Sequence, residues 1–350
     1  METIIRRVDV NNIDNNIIVE AAEILKKGQL VAFPTETVYG IGANALDINA
    51  VEKIYKAKGR PSDNPLIVHV ADKEDVKRYV LNINSTAQKL MDEFWPGPLT
   101  LIFEKKDIIP DKITGGLSTV AIRMPSHVIA RNIIRSSGLP IAAPSANVSG
   151  KPSPTKAEHV INDLSGKVDM IVDGGFCKIG LESTVVDVSE SVPTILRPGG
   201  VTKEMLEDVI GLVKVDPAIK SNNKDIVPKA PGMKYRHYAP NADLTIFKGE
   251  THNVISHINN LVSMEEEKGT KVGIIATKQT QNDFECVNII NIGDKKNPKE
   301  IAANLFKVLR DFDDMNVDVI YCEAFSIKDI GTATMNRLMK AAGNKVIDID

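Results

Sequence analysis

The chain has few of the short signatures from which a reaction is usually read. It contains no GxxxxGK followed by Ser or Thr and no GxGxxG after a strand, so both common phosphate-cradling turns are missing. The GxSxG elbow and the HExxH helix are absent as well, which removes the serine-hydrolase and zinc-protease readings. Cysteine is scarce. Cys177, Cys286 and Cys322 lie far apart with no CxxC spacing, which argues for a reducing compartment, buried structural thiols and no zinc site. His69, His127 and His159 share no ligand spacing, and no pair of carboxylates stands out as a general acid and base. No apolar run approaches the roughly 18 residues of a membrane helix, and METIIRRVDVNN has no apolar core before a cleavage site. A cytoplasmic protein is expected. The net charge of −3 excludes a global attraction to nucleic acid or to an anionic membrane, so any basic site must be local.

What is present reads as an ordinary soluble globular chain. Its 350 residues are enough for two domains, and 43% hydrophobic with 25% charged residues is a typical composition. Up to residue 215 the periodicity alternates between apolar runs and helical patterns. Helices are expected over 17–27, 50–57, 85–94, 127–136, 155–164 and 202–210, and strands over 30–33, 65–70, 99–103, 120–124, 139–143, 170–173, 184–188 and 194–196. Several strands are close enough in sequence to pair antiparallel, so an α/β domain on a mixed twisted sheet is expected over 1–215. Strands at 244–247, 272–276, 287–290 and 317–321 alternate with helices at 253–268, 298–311 and 333–342. That βαβ rhythm predicts a smaller Rossmann-like parallel domain over 242–350. Between the two, 216–241 has no periodicity and carries Pro228, Pro231 and Pro240. A passive spacer seldom needs Lys229, Lys234, Tyr235, Arg236, His237 and Tyr238, so the segment is either a functional lid or a tether with solvated cations.

Six stretches of the first domain carry candidate chemistry. In FPTETVYG, Pro34 stops a strand and Thr35, Glu36 and Thr37 follow. In KGRPSDNPL, Lys58 and Arg60 flank Gly59 on a turn with Ser62, stiffened by Pro61 and Pro65. Two cations so held suit a polyphosphate, although a solvated helix end looks similar. A turn position argues against a core role, so truncating either cation is expected to cost turnover and leave the fold intact. Ser145 and Asn147 stand just past a buried strand, where hydroxyl and amide groups can bond a ligand or simply make an Asx turn. Arg123 closes an apolar strand and needs an anionic partner, either a ligand carboxylate or a structural ion pair. GLEST and LRPGG add Ser183 and Arg197 at strand boundaries.

In this order PTETVYG, KGRP with PL beyond it, PSAN, GLEST and LRPGG resemble the Sua5/YrdC/YwlC family of threonylcarbamoyl-AMP synthases. The YrdC-like match spans about 14–212, and the remainder resembles the long Sua5 form. The resemblance implies a nucleotidyltransferase that begins the threonylcarbamoyl modification of adenosine 37 in tRNA. L-threonine, bicarbonate or CO2 and ATP would give threonylcarbamoyl-AMP and pyrophosphate, and a downstream tRNA threonylcarbamoyl transferase complex would take the product. It assigns catalysis to Lys58 and Arg60. ATP would be bound by Lys58, Ser62, Thr119, Ser145, Asn147, Ser153, Arg197 and Tyr235. Threonine would be bound by Thr35, His69, Arg123 and Ser183. It implies Mg2+ held mainly by ATP phosphates, with no protein metal site. One departure is Pro144, where many relatives have Thr. Two alternatives stay open: a double-stranded RNA or tRNA-binding module without catalysis, and a carbamoyl-transfer enzyme. The second usually adds cysteine-rich zinc segments, which this chain lacks.

Overall fold

The computed structural model describes residues 2–62, 64–219 and 237–350. The chain divides into two compact units, one of residues 1–149 and 153–235, the other of 150–152 and 236–350. Described elements of the first unit are β1 (Ile4–Arg7), α1 (Asn15–Lys26), β2 (Val31–Phe33), β3 (Gly40–Asn44), α2 (Ile48–Lys58), β4 (Ile67–His69), α3 (Ser85–Phe94), β5 (Leu99–Glu104), α4 (Asp111–Thr114), β6 (Thr119–Arg123), α5 (Val128–Ser137), β7 (Ile141–Ala142), α6 (Ala157–Leu164), β8 (Met170–Asp173), β9 (Thr184–Asp187), β10 (Thr194–Arg197), α7 (Lys203–Ile210) and β11 (Lys214–Val215). The strands join in the order β1-β8-β2-β3-β7-β4-β6-β5-β9-β10-β11. Pairing is mixed: β4 runs parallel to β6, while β7 lies antiparallel to both β3 and β4.

Alternation along the strands sorts side chains onto two faces. One face is the main core, where Val68, Leu101, Val120, Ile122 and Val186 pack with Val51 and Ile54 of α2, Leu90 of α3 and Val160 of α6. The other face is split. Over β1, β2 and β8, α1 and α5 cover it through Leu25, Ile129 and Ile133 against Phe33 and Met170. Over β4, β6, β5, β9 and β10 it holds only a small patch of strand residues, Ile67, Ala121, Ile102, Val185 and Leu196. That half-face carries the polar groups described below.

Local signals explain where the helices begin. Asp14 caps α1 by accepting from the Asn16 amide, and Asp47 caps α2 by accepting from Asn49 and Ala50. Gly59, at φ 60°, ends α2 in the left-handed region that a side chain resists. β3 was not foreseen. Gly40 and Gly42 make the run read as a loop, yet a Cβ on Gly42 would stand 2.5 Å from Cε1 of Phe33 on the neighbouring strand. The glycine is there because β2 and β7 close on both sides of it. β1 and β11 are also additions. Cys177 and Cys322 are buried as expected, whereas Cys286 is half-buried.

In the second unit β12 (Asp243–Gly249), α8 (Thr251–Glu267), β13 (Val272–Ala276), β14 (Asn288–Asn291), α9 (Pro298–Met315), β15 (Val319–Glu323), α10 (Ile330–Ala341) and β16 (Val346–Ile349) make a parallel sheet in the order β14-β13-β15-β12-β16. The final strand was missed because VIDI is only four residues long, shows no alternation and lies at an exposed edge. Val254, Ile258 and Val262 of α8 pack against Phe247, Ile274 and Tyr321. Within this unit the Arg310 guanidinium donates to the Pro152 carbonyl at 2.6 and 3.1 Å. Tyr238, expected in a lid, is instead buried, its ring 5.0 Å from Phe306. The rest of the expected lid, 220–236 with Tyr235, lies outside the described residues.

Candidate active site

The half-face over β4, β6 and β5 is built by register. Strand pairing sets His69 beside Arg123 and Arg123 beside Thr100, and alternation points these three with Thr119 to the face of Ile67, Ala121 and Ile102. Arg123 is 4% exposed and needs a counter-charge. It finds one in Glu36, whose Oε1 stands 2.7 Å from its Nη2. Arg123 also donates weakly from Nε to the Gly97 carbonyl at 3.4 Å. His69 lies wholly inside, with Nδ1 3.3 Å from the Ile67 carbonyl. Burial, then the Arg123 charge, pushes its imidazole down to about 3, so it is neutral at pH 7.

Ser183 joins this group from the loop before β9. Its hydroxyl hydrogen-bonds Thr100 Oγ1 at 2.7 Å and accepts from Nη2 of Arg197 at 3.1 Å, while Arg197 Nε donates to the Ser183 carbonyl at 3.0 Å. Ser153 is buried and bonds Glu182 at 2.5 Å. The Thr35 hydroxyl donates to the Val38 carbonyl at 2.6 Å and accepts from the Val38 amide, so it is engaged within its own turn. Thr119 is half-buried at the head of β6, and Ser62 is exposed on its turn.

Lys58 departs from expectation. It is the last residue of α2, not part of an exposed turn, and it is 2% exposed. Its ammonium is enclosed by oxygens past the end of β7: it donates to the Ser145 carbonyl, to the Asn147 carbonyl at 2.6 Å and toward Asn147 Oδ1 at 3.5 Å. Its own carbonyl accepts from the Ser149 amide at 2.9 Å. Arg60 is half-buried, its Nη2 lying 3.3 Å from the Pro65 carbonyl and 3.4 Å from that of Asn64. Tyr55 closes the same turn by donating to the Asn64 carbonyl at 3.2 Å.

Two family models match the chain. The Sua5–YciO–YrdC model, described as "Telomere recombination", covers residues 23–199, and "Threonylcarbamoyl-AMP synthase, C-terminal domain" covers 201–343. The chain belongs to the Sua5 family. Its Sua5 relatives include the threonylcarbamoyl-AMP synthase of Pyrococcus abyssi, 50% identical over 94% of this chain and 95% of that protein. The enzyme of that name from Bacillus subtilis is also 50% identical, over 94% of each chain. The crystal structure of P. abyssi Sua5 complexed with L-threonine superposes with a TM-score of 0.94 at 48% identity, covering 99% of this chain and 100% of that one.

Sequence reading located the Sua5 motifs but passed over Glu36, Glu182 and Thr100. Glu36 sat inside a quoted motif with no visible partner, because Arg123 is remote in sequence. Thr100 had a weak signal, a hydroxyl in the otherwise apolar run LTLIF.

Three substitutions test these environments. Lys58→Met should lower stability by about 1–3 kcal/mol, because buried carbonyl oxygens lose their donor. It should also lower turnover at least about tenfold, the size of a lost charge stabiliser. Arg60→Ala should lower turnover by a similar factor while keeping the urea midpoint. Equal midpoints for wild type and Lys58→Met would refute the structural part. His69 gives a pH dependence. Its native value of about 3 lies below the usual 6.5, so between those limits the unfolded chain holds the extra proton. Stability is then full above pH 6.5 and is lost as pH falls toward 3, with a slope of up to about 1.4 kcal/mol per pH unit from this group. His69→Asn should flatten that acid limb in denaturation curves taken from pH 7 to 4.

Proposed function

We propose that the chain is an L-threonylcarbamoyladenylate synthase, converting L-threonine, bicarbonate or CO2 and ATP into threonylcarbamoyl-AMP and pyrophosphate. The observation that carries the reading is one half-face that gathers buried Arg123, Arg197 and His69 with the hydroxyls of Thr100 and Ser183. Full-length similarity to synthases of that name supports it.

The chemistry asks for placement more than for a base. The threonine amine captures CO2 as a carbamate. A carbamate oxygen then attacks the α-phosphorus of ATP, and the bond to pyrophosphate breaks. The carbamate is already a competent nucleophile but decays in water, so orientation, charge neutralisation and water exclusion dominate. Lys58 and Arg60 serve as fixed positive charges near the phosphates. Ser62, Thr119, Ser145, Asn147, Ser153, Arg197 and Tyr235 hold the nucleotide. Thr35, His69, Arg123 and Ser183 hold threonine, with Arg123 on its carboxylate. Mg2+ arrives as part of MgATP. Residues 1–215 form the catalytic domain, 242–350 the Sua5-type domain, and 216–241 a linker whose part before Tyr238, itself held against Phe306, closes over the nucleotide. The protein works in the cytoplasm and supplies a tRNA threonylcarbamoyl transferase. The described residues contain no helix long and apolar enough to cross a membrane.

Substrate choice tests the reading. Serine loses one methyl contact, worth roughly 1–3 kcal/mol, whereas valine leaves buried polar groups unpaired. Incorporation of radiolabelled bicarbonate with ATP should therefore run threonine over serine over valine, and equal rates with valine would show that the hydroxyl is not read. Closure of the linker has its own check. Trypsin cleavage after Lys234 or Arg236 should slow when ATP and threonine are both present; cleavage indifferent to ligands would leave the segment a tether.

A further inference from the structure

The Glu36 carboxylate is unusually short of partners for its burial. It is 7% exposed, and its side chain faces Arg123 at 2.7 Å, yet neither of its oxygens makes a hydrogen bond. An ionised carboxylate offers about four acceptor sites, and a buried one left largely unused is costly. The backbone gives no relief, since the Ile179 amide goes to the Glu36 carbonyl instead. Its charge reaches Cys177 and also His127. Burial pushes that imidazole down while the Glu36 charge pulls it up, and its Nδ1 is likewise buried without a hydrogen bond.

A second feature points the same way. Arg123 and Glu36 form a buried pair of opposite charges at one place on the face of His69 and Thr100. An α-amino acid is itself such a pair, with its ammonium one carbon away from its carboxylate. A carboxylate anchored on the Arg123 guanidinium therefore keeps its ammonium within reach of an acceptor 2.7 Å from that guanidinium. We infer that Glu36 accepts the α-ammonium of the substrate, so that Arg123 and Glu36 together read threonine as a zwitterion. This rests on the proposal that the site binds threonine, and it adds Glu36 to the residues that do so. The arrangement is electrically economical. The empty site is a neutral ion pair and the arriving zwitterion is neutral too, so loading buries no net charge. It also gives the unused Glu36 oxygen the donor it lacks. The site then selects amino acids over hydroxy acids of the same shape, because a hydroxyl is a far poorer donor to a buried carboxylate than an ammonium.

The experiment measures binding to the full-length protein by calorimetry without ATP. The probes are L-threonine and its deaminated analogue, in which a hydroxyl replaces the ammonium. Wild type should prefer threonine. Glu36→Gln should weaken threonine at least about tenfold, the scale of one charge-assisted hydrogen bond, and change the analogue by less than about threefold. Glu36→Asp should restore part of the preference. A Glu36→Gln variant that weakens both probes equally would mean that Glu36 only holds Arg123 in place, and unchanged threonine affinity would mean that it does neither; either overturns the inference. If wild type binds no threonine, it is the proposed function that fails. Melting curves of each variant separate these outcomes from loss of the fold.

Discussion

A buried ammonium must be surrounded by oxygen, and Lys58 shows how much of a fold one such requirement can organise. Oxygens of Ser145 and Asn147, past the end of β7, hold its ammonium, while the lysine itself ends α2. The Ser149 amide returns a bond to the Lys58 carbonyl. Two motifs far apart in sequence are thereby held at one place, and neither can shift without exposing an uncompensated charge. Gly59, Arg60 and the Pro65 turn follow directly, so their geometry is inherited from the same anchorage.

The other cations of the site are held by a similar logic with different partners. Arg123 takes a carboxylate, and Arg197 takes the carbonyl and hydroxyl of Ser183. Each guanidinium is fixed by at least one neighbour before any ligand arrives, which lowers the ordering cost of binding. His69 completes the set as a neutral group: burial and the Arg123 charge both oppose its protonation. The half-face is therefore a set of fixed positive charges and hydroxyl groups whose orientations are decided by the sheet and its loops.

Much of this was legible in the sequence. Long periodic segments such as 85–94 matched their helix, and the βαβ rhythm over 242–350 gave a parallel sheet. What failed has identifiable causes. β3 was hidden because its Gly42 answers to crowding by Phe33 and Ile141 of the neighbouring strands, which no local pattern records. Lys58 looked like a surface cation because a basic residue before a glycine is the usual helix end, and only the tertiary cage reverses that. Arg123 was seen to need an anion, but Glu36 as that anion requires knowing where the chain after β2 goes. Tyr238 was placed in the candidate lid because nothing local announces its aromatic contact with Phe306, which is remote in sequence.

The unequal division of the sheet's two faces bears on how this architecture can change over generations. The bulk of the apolar packing lies on one side, while the side bearing Thr119, His69, Arg123 and Thr100 rests on five small or medium apolar residues. Substituting Thr119 or Thr100 therefore removes little of the apolar packing, whereas losing Arg123 leaves the Glu36 carboxylate buried and unpaired. Exchange of those two hydroxyl residues therefore alters what the face can hydrogen-bond at small thermodynamic risk. Lys58 and Arg123 are different: each is a buried cation that belongs to both the scaffold and the site, so neither can be exchanged as cheaply.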